Sequence, residues 1–311
     1  MKNKLFFIVA FLLISLNSFA CLNGETKELK NGMLIYEDYR GIVPRGHTFF
    51  VDNFPKLIKE LDSLYRVKKD IDYLSDKGYV LTVEGKYKEA LAIYLEIEKL
   101  KPNRYSTASN VGTIYELLGD NQKALFWINK AIQLNPKSHE GSEWLHSKIL
   151  QAKIGGSKYI NADFLINTNF GNDDGPRSNL SKSQRESLMK ALYYQLNERV
   201  TFIKNEDPII GVLLFELGNL AYLDKKYDEA KAIYGKARDY GFNSEVLKIR
   251  YNSVEWKTLD VLYDKMNKLH KIIKKLNTEN QYHKNLFVII LTSALIIIVL
   301  LLIVIWRLRR K

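Results

Sequence analysis

The sequence predicts an all-α fold in which antiparallel helix pairs stack into a solenoid and a single C-terminal helix spans a membrane. Three observations predict it. Residues 34 apart match through the middle of the chain, an uncharged apolar run closes it, and a shorter apolar run opens it behind two lysines.

The two ends come first. The 311 residues are 46% hydrophobic, enough to bury a core and too few for a chain immersed throughout in lipid. Lys2 and Lys4 precede an apolar stretch from Leu5 to Leu16, and Ser18-Phe19-Ala20 sets small residues at cleavage spacing. This is the pattern of a secretory signal peptide over residues 1–20 or, left uncut, of an anchor. Residues 285–306 form the second run. From Leu286 to Trp306 its 21 residues carry no charge, and at about 1.5 Å per residue they reach roughly 30 Å, the thickness of a hydrocarbon core. The tail, 307–311, holds Arg307, Arg309, Arg310 and Lys311, a cluster that favours the cytoplasmic side. Both ends therefore predict a single-pass protein of the inner (cytoplasmic) membrane, with its bulk periplasmic and its C-terminus cytoplasmic.

Charge and cysteine usage narrow the class. Of the 47 basic residues, six sit in the two targeting segments; the remaining 41 against 35 acids leave a net of +6. These charges are interleaved at i,i+3 and i,i+4 spacing, as on solvated helix faces. Nucleic acid is not an expected partner, because the charge is dispersed and the compartment is wrong. An anionic surface or acidic polymer remains compatible with the sign. Cys21 is the single cysteine, so no intramolecular disulfide or cysteine-type metal site can form. It directly follows the cleavage point and is a candidate lipidation site, although Ser18 stands where a lipoprotein leader usually has Leu. The alternative is an incidental cysteine.

The middle is repetitive. Gly78 and Gly112, Gly85 and Gly119, Ala90 and Ala124, Tyr94 and Ile128, and Pro102 and Pro136 are each 34 residues apart. A third copy runs through Gly218, Ala230, Tyr234 and Ala237. A glycine midway along one helix lets its partner approach, and an alanine does the same from the second helix. Tyr94, Ile128 and Tyr234, four residues after the alanines, fill the space between. Pro102 and Pro136 stop the second helix. Two departures stand out: Ile97 where the other copies have Ala131 and Ala237, and Gly241-Phe242 in place of a closing proline.

This pattern resembles the tetratricopeptide repeat. The resemblance implies a right-handed superhelical solenoid with first helices lining a concave face, and a non-catalytic role in binding a peptide or helix of a partner protein. The spacing i, i+3, i+7, i+10 on those first helices selects Asp72, Ser75, Tyr79 and Thr82; Ser106, Ser109, Thr113 and Glu116; and Val212, Phe215, Asn219 and Tyr222. Tyr79, Phe215 and Tyr222 are the expected anchors, since aromatics carry disproportionate binding energy. The family's carboxylate clamp would need Lys and Asn where Ser75 and Tyr79 stand; only Asn110 is retained, so a chaperone tail is not the implied ligand.

The remaining segments follow in order. Residues 21–53 are irregular, with Asn31-Gly32 predicting a hairpin. Repeats occupy 54–154, and the stretch from Ser138 to Lys153 reads as a further helix. Residues 155–183, rich in Gly, Asn, Asp and Pro, read as a polar loop or insertion. Repeats resume over 184–243 from a helix starting near Gln184. Gly112 and Gly218 are 106 residues apart, four more than three repeat lengths, so degenerate units with an insertion fit the gap. Residues 244–284 form a capping or stalk helix whose Leu259, Leu262, Met266, Leu269, Ile273 and Leu276 lie on one stripe. Self-association through 259–276 is the stalk alternative, although the stripe is shorter than three heptads.

Catalytic signatures are not found. The sequence holds no Gly-x-Ser-x-Gly elbow, phosphate loop or dinucleotide fingerprint, and no cofactor is expected. His139, Glu143 and His146 share a helix face, but their spacing is not that of a zinc hydrolase, and a solvated helix start is the expectation. Asp173-Asp174-Gly175 reads as turn chemistry; a calcium loop would not carry Phe170 in its register. An enzyme with its site in the 155–182 insertion is the minor alternative.

Overall fold

The computed structural model describes residues 26–38, 41–279 and 284–308. The leader segment 1–20, Cys21 and the end of the basic tail lie outside the described residues.

A hairpin of β1 (Thr26–Glu28) and β2 (Leu34–Glu37) comes first, antiparallel as Asn31-Gly32 predicts. The Gly32 amide donates to the Leu29 carbonyl at 2.8 Å, and Asn31 Oδ1 accepts the Met33 amide at 3.2 Å. Ile35 and Tyr36 of β2 are fully buried with Leu57 and Leu61 of the first helix, α1 (Phe54–Lys68).

Then follow α2 (Ile71–Val83), α3 (Tyr87–Leu100), α4 (Tyr105–Leu117) and α5 (Asn121–Leu134). Asp70 and Asp120 cap α2 and α5 by accepting backbone amides of the first turn. The C-caps of α3 and α5 are Lys101 and Asn135, each immediately before its proline.

One recurring contact explains the 34-residue matches. A Cβ placed on Gly78 would lie 2.8 Å from the Tyr94 ring, one on Gly112 2.6 Å from Ile128 Cδ1, and one on Gly218 2.5 Å from the Tyr234 ring. Ala90, Ala124 and Ala230 are fully buried. The tyrosines add hydrogen bonds: Tyr94 donates to the Ser75 carbonyl at 3.0 Å and accepts from Asn110 Nδ2 at 2.9 Å.

The centre departs from the expectation. Instead of one helix from Ser138, a 3-10 turn at His139–Gly141 precedes α6 (Glu143–Gly155). Residues 155–183 are not simply a polar loop. They contain a 3-10 turn at Ser157–Tyr159 and a short α7 (Ala162–Ile166), and they bury Leu165, Ile166 and Phe170. Next comes α8 (Lys182–Phe202), started by a Ser181/Gln184 capping box. Its 21 residues exceed the 14 of α5. The last pair is α9 (Pro208–Leu223) and α10 (Tyr227–Asp239). This pair ends without proline: the Phe242 amide donates to the Ala237 carbonyl at 3.0 Å and the Gly241 amide to Arg238 at 2.9 Å, a Schellman closure. Thus, after α5, the gap between Gly112 and Gly218 holds α6, α7 and one long helix.

The chain divides into two compact units, the first ending at Lys248 and the second beginning at Ile249. The second comprises most of α11 (Glu245–Glu279) and α12 (Lys284–Leu308). Along the α11 stripe Leu259 and Leu276 are exposed, Leu262, Met266 and Leu269 are half-buried, and Ile273 is buried. In α12, Val288–Trp306 is long and apolar enough to cross a membrane.

Candidate functional site

The face assigned to a partner is filled by the protein itself. Along α8, Gln195 donates to Ser142 Oγ at the start of α6 at 3.2 Å, Arg199 reaches Glu116 of α4 at 3.3 Å, and Phe202 packs on the cluster containing Tyr79 of α2. One helix thus covers α6, α4 and α2 in turn. Every residue from Gln195 to Thr201 is buried.

The expected groove residues sort accordingly. Tyr79 is fully buried among Tyr36, Leu61 and Val80, so it is a core residue and no anchor in this conformation. Ser75 is fully buried, its carbonyl bound to Tyr94. Ser109 donates to Glu143 at 3.4 Å. Thr113, Glu116 and Arg199 border a void of only about 20 Å³. Phe215 stacks on Phe242 at 4.7 Å between centroids, filling the close of the third pair. Asn219 is fully buried, donating to Glu216 at 2.9 Å and accepting from Tyr234 at 2.8 Å. Tyr222 is half-buried beside Tyr227 and Gly175 of the insertion. Asp72 stays partly open and pairs with Arg104 at 2.6 Å and Lys30 at 3.6 Å.

A buried ion cluster seats α8. Glu116, its side chain 6% exposed, takes His146 Nε2 at 2.6 Å, Lys153 Nζ at 2.8 Å and Arg199 at 3.3 Å. Burial alone would raise its carboxyl, but Arg199, His146 and Lys153 outweigh that and hold it well below the usual carboxylate range. The Glu143 carboxyl likewise lies far below its usual range: burial opposes the charge, and hydrogen bonds with His139 and His146 overcome it. His139 and His146 are therefore not at a solvated helix start, because their partners come from α4 and α6. No group of three or more His, Cys, Asp or Glu among the described residues is arranged to hold a metal.

A second buried centre fixes the segment before α1 against α8. Arg45 and Gly46 amides donate to Asn197 Oδ1 at 3.0 and 2.8 Å, and the His47 amide to Thr201 Oγ1 at 2.8 Å. The His47 ring stacks on Tyr36, with Nδ1 2.7 Å from Asp38 and Nε2 3.7 Å from Glu198. Burial disfavours the charged ring, but Asp38 and Glu198 outweigh it and raise its pKa from 6.5 to about 9. The resulting stabilisation is complete below about pH 6.5 and disappears as the pH rises through about 9, amounting to about 3 kcal/mol. Unfolding free energy is therefore expected to fall between pH 6 and 10, with a shallower slope in His47→Gln; an unchanged slope in that variant contradicts the assignment.

A family profile described as "Tetratricopeptide repeat" matches residues 106–138, which span α4, α5 and the following turn. The Photosystem I assembly protein Ycf3 of Rippkaea orientalis is 36% identical over 84 residues, 26% of this chain and 48% of the relative. The chain thus spans about half the length of the curated relative it matches. A solved tetratricopeptide repeat protein from Parabacteroides merdae is similar over 65% of this chain and 92% of its own, at 14% identity and a TM-score of 0.32.

Proposed function

We propose that this chain, which belongs to the tetratricopeptide-repeat family, is a non-catalytic protein-interaction scaffold tethered to the cytoplasmic membrane by α12, with its repeats on the periplasmic side. One observation carries the tether: Val288–Trp306 has a mean hydropathy of 3.5 and none of it is buried. Leaving one Leu or Ile side chain in water forgoes about 1.5–3 kcal/mol, and this helix exposes Ile289, Ile290, Leu300 and Leu301 among others. A bilayer is the medium that suits it. The orientation rests on the basic residues after Trp306 and the leader pattern before Cys21. The scaffold role rests on the family and on a relative whose name is that of an assembly protein. Because α8 occupies the inner face, the partner surface lies on another part of the repeats.

The full chain is expected to remain in the membrane pellet through an alkaline carbonate wash and to leave it when residues 285–306 are deleted. Retention after the deletion contradicts the tether. In a Cys21→Ser background, a cysteine introduced at the exposed Lys137 should react with a membrane-impermeant maleimide on intact spheroplasts; labelling only after lysis reverses the orientation.

Exposure of Leu259 and Leu276 on the α11 stripe favours a second reading, a structural subunit that self-associates through 259–276. Light scattering of the detergent-solubilised chain distinguishes them: a dimer mass lost in Leu262→Glu/Leu269→Glu supports self-association, and a monomer removes it.

A further inference from the structure

With the inner face closed, an open concavity of the first unit lies elsewhere. A cleft of about 730 Å³ opens between the N-terminal half of α8 and the turn joining α9 to α10, beside Gly41 and Ile42. Helical spacing brings Lys182, Arg185, Met189 and Tyr193 to one wall. Lys225 and Lys226 form part of the facing rim.

The cleft concentrates a charge that is dispersed elsewhere. Among the described lining residues, Lys182, Arg185, Lys190, Lys225 and Lys226 stand with Glu186 and Asp224, a net of +3 from seven charged residues. Both carboxylates already have cationic neighbours, Glu186 with Lys182 at 3.7 Å and Asp224 with Arg185 at 3.4 Å. A concave wall focuses such a field toward an incoming anion. Met189 is buried, and Tyr193 and Tyr194 are half-buried, so the cationic rim surrounds a partly apolar surface.

The backbone supplies a second, independent sign. In the first two pairs the turn between helices holds Gly85 and Gly119, both at φ +84. The third pair makes the same turn: the amides of Gly85, Gly119 and Lys225 donate to the carbonyls of Thr82, Glu116 and Tyr222 at 3.0, 3.0 and 2.9 Å. Yet it places Lys225 there, at φ +60. A lysine is strained in this region and a glycine is not. The third repeat thus carries a strained cation at the cleft rim where its sister repeats carry the residue that suits the turn.

We propose that this cleft binds an extended acidic segment of a partner protein, its carboxylates against Lys225 and Lys226 and an apolar side chain on Met189 and Tyr193. The proposal rests on the scaffold reading and gives its partner a chemistry. It separates from folding in one variant: Lys225→Gly removes the cation while relieving the backbone.

The test uses the full chain in detergent and fluorescence anisotropy with two labelled peptides, Asp-Leu-Glu-Glu-Leu-Asp and its amide counterpart Asn-Leu-Gln-Gln-Leu-Asn. The acidic peptide is expected to bind saturably and at least about 10-fold more tightly than the amide. Lys225→Gly should weaken it about 5-fold, and Lys225→Gly/Lys226→Ser about 25-fold, with thermal midpoints equal to or above that of the unaltered chain. Equal affinity for the two peptides, or unchanged affinity in the double variant, overturns the proposal. Tighter, Lys225-dependent binding of inorganic triphosphate overturns it too, by making the site one for small anions. If neither peptide binds while the chain still cross-links to other proteins in its own membrane, the cleft assignment fails and the scaffold reading stands. If it cross-links to none, both fail.

Discussion

Glu116→Ala is expected to lower the stability of the repeat unit by about 3–5 kcal/mol, the scale on which removing one member of a buried ion cluster acts. The reason is what it leaves behind. Arg199 and His146, both buried, and Lys153 lose the carboxylate they share, and Glu143 remains beside His146 alone, at 3.7 Å. Glu116→Gln keeps the volume and part of the hydrogen bonding, so it should cost most of the same amount if charge is the cause. Arg199→Met is expected to cost less than either, since a flat apolar chain can fill its place and Glu116 keeps two cations. Denaturation followed by circular dichroism in detergent reads all three. Equal losses for Glu116→Gln and Arg199→Met would contradict the shared-carboxylate account.

Gly112→Ala is expected to cost about 1–3 kcal/mol through overpacking. Alanine is the better helix former, so propensity alone predicts a gain, and the sign decides between the two effects. The added Cβ would meet Ile128 at 2.6 Å and the Ile128 backbone amide at 3.2 Å, so the side chain must move and the main chain has little room. Shortening the partner should recover part of the loss: in an Ile128→Val background the same change should cost measurably less. Additivity of the two substitutions would remove the contact from the explanation.

How much was legible in the sequence follows from what kind of signal each element leaves. The glycine, alanine and aromatic matches report a local contact made between neighbouring helices, and each falls within 16 residues of its partner, as Gly78 does with Tyr94. Such contacts repeat because the unit repeats, and a period exposes them. The hairpin turn at Asn31-Gly32 and the apolar run of α12 are equally local. The filling of the inner face is not. Gln195, Asn197, Glu198 and Arg199 are polar by composition, yet all are buried because their partners, Ser142, Asp38, His47 and Glu116, arrive from 53 to 159 positions away. No periodicity encodes that meeting. Likewise, His139 and His146 look like helix-start residues until α4 and α8 close over them.

Groove spacing failed for a related physical reason. It selects the face of each first helix without saying what lies against it. Tyr79 and Asn219 occupy the spacing of ligand contacts, but one is held by β2 and α1 and the other by Tyr234. What the spacing could not reveal, a comparison of the third pair's turn with the first two could have: Lys225 stands where Gly85 and Gly119 do.

Hydrogen exchange across α8 tests the central claim most directly. With α8 seated against α2, α4 and α6, the amides of residues 195–202 should exchange only through global unfolding, at the rate of the buried helices α4 and α9. Exchange of that segment at a faster, locally governed rate while α4 and α9 stay protected would mean that the inner face is open, and the account of α8 as its occupant would be wrong.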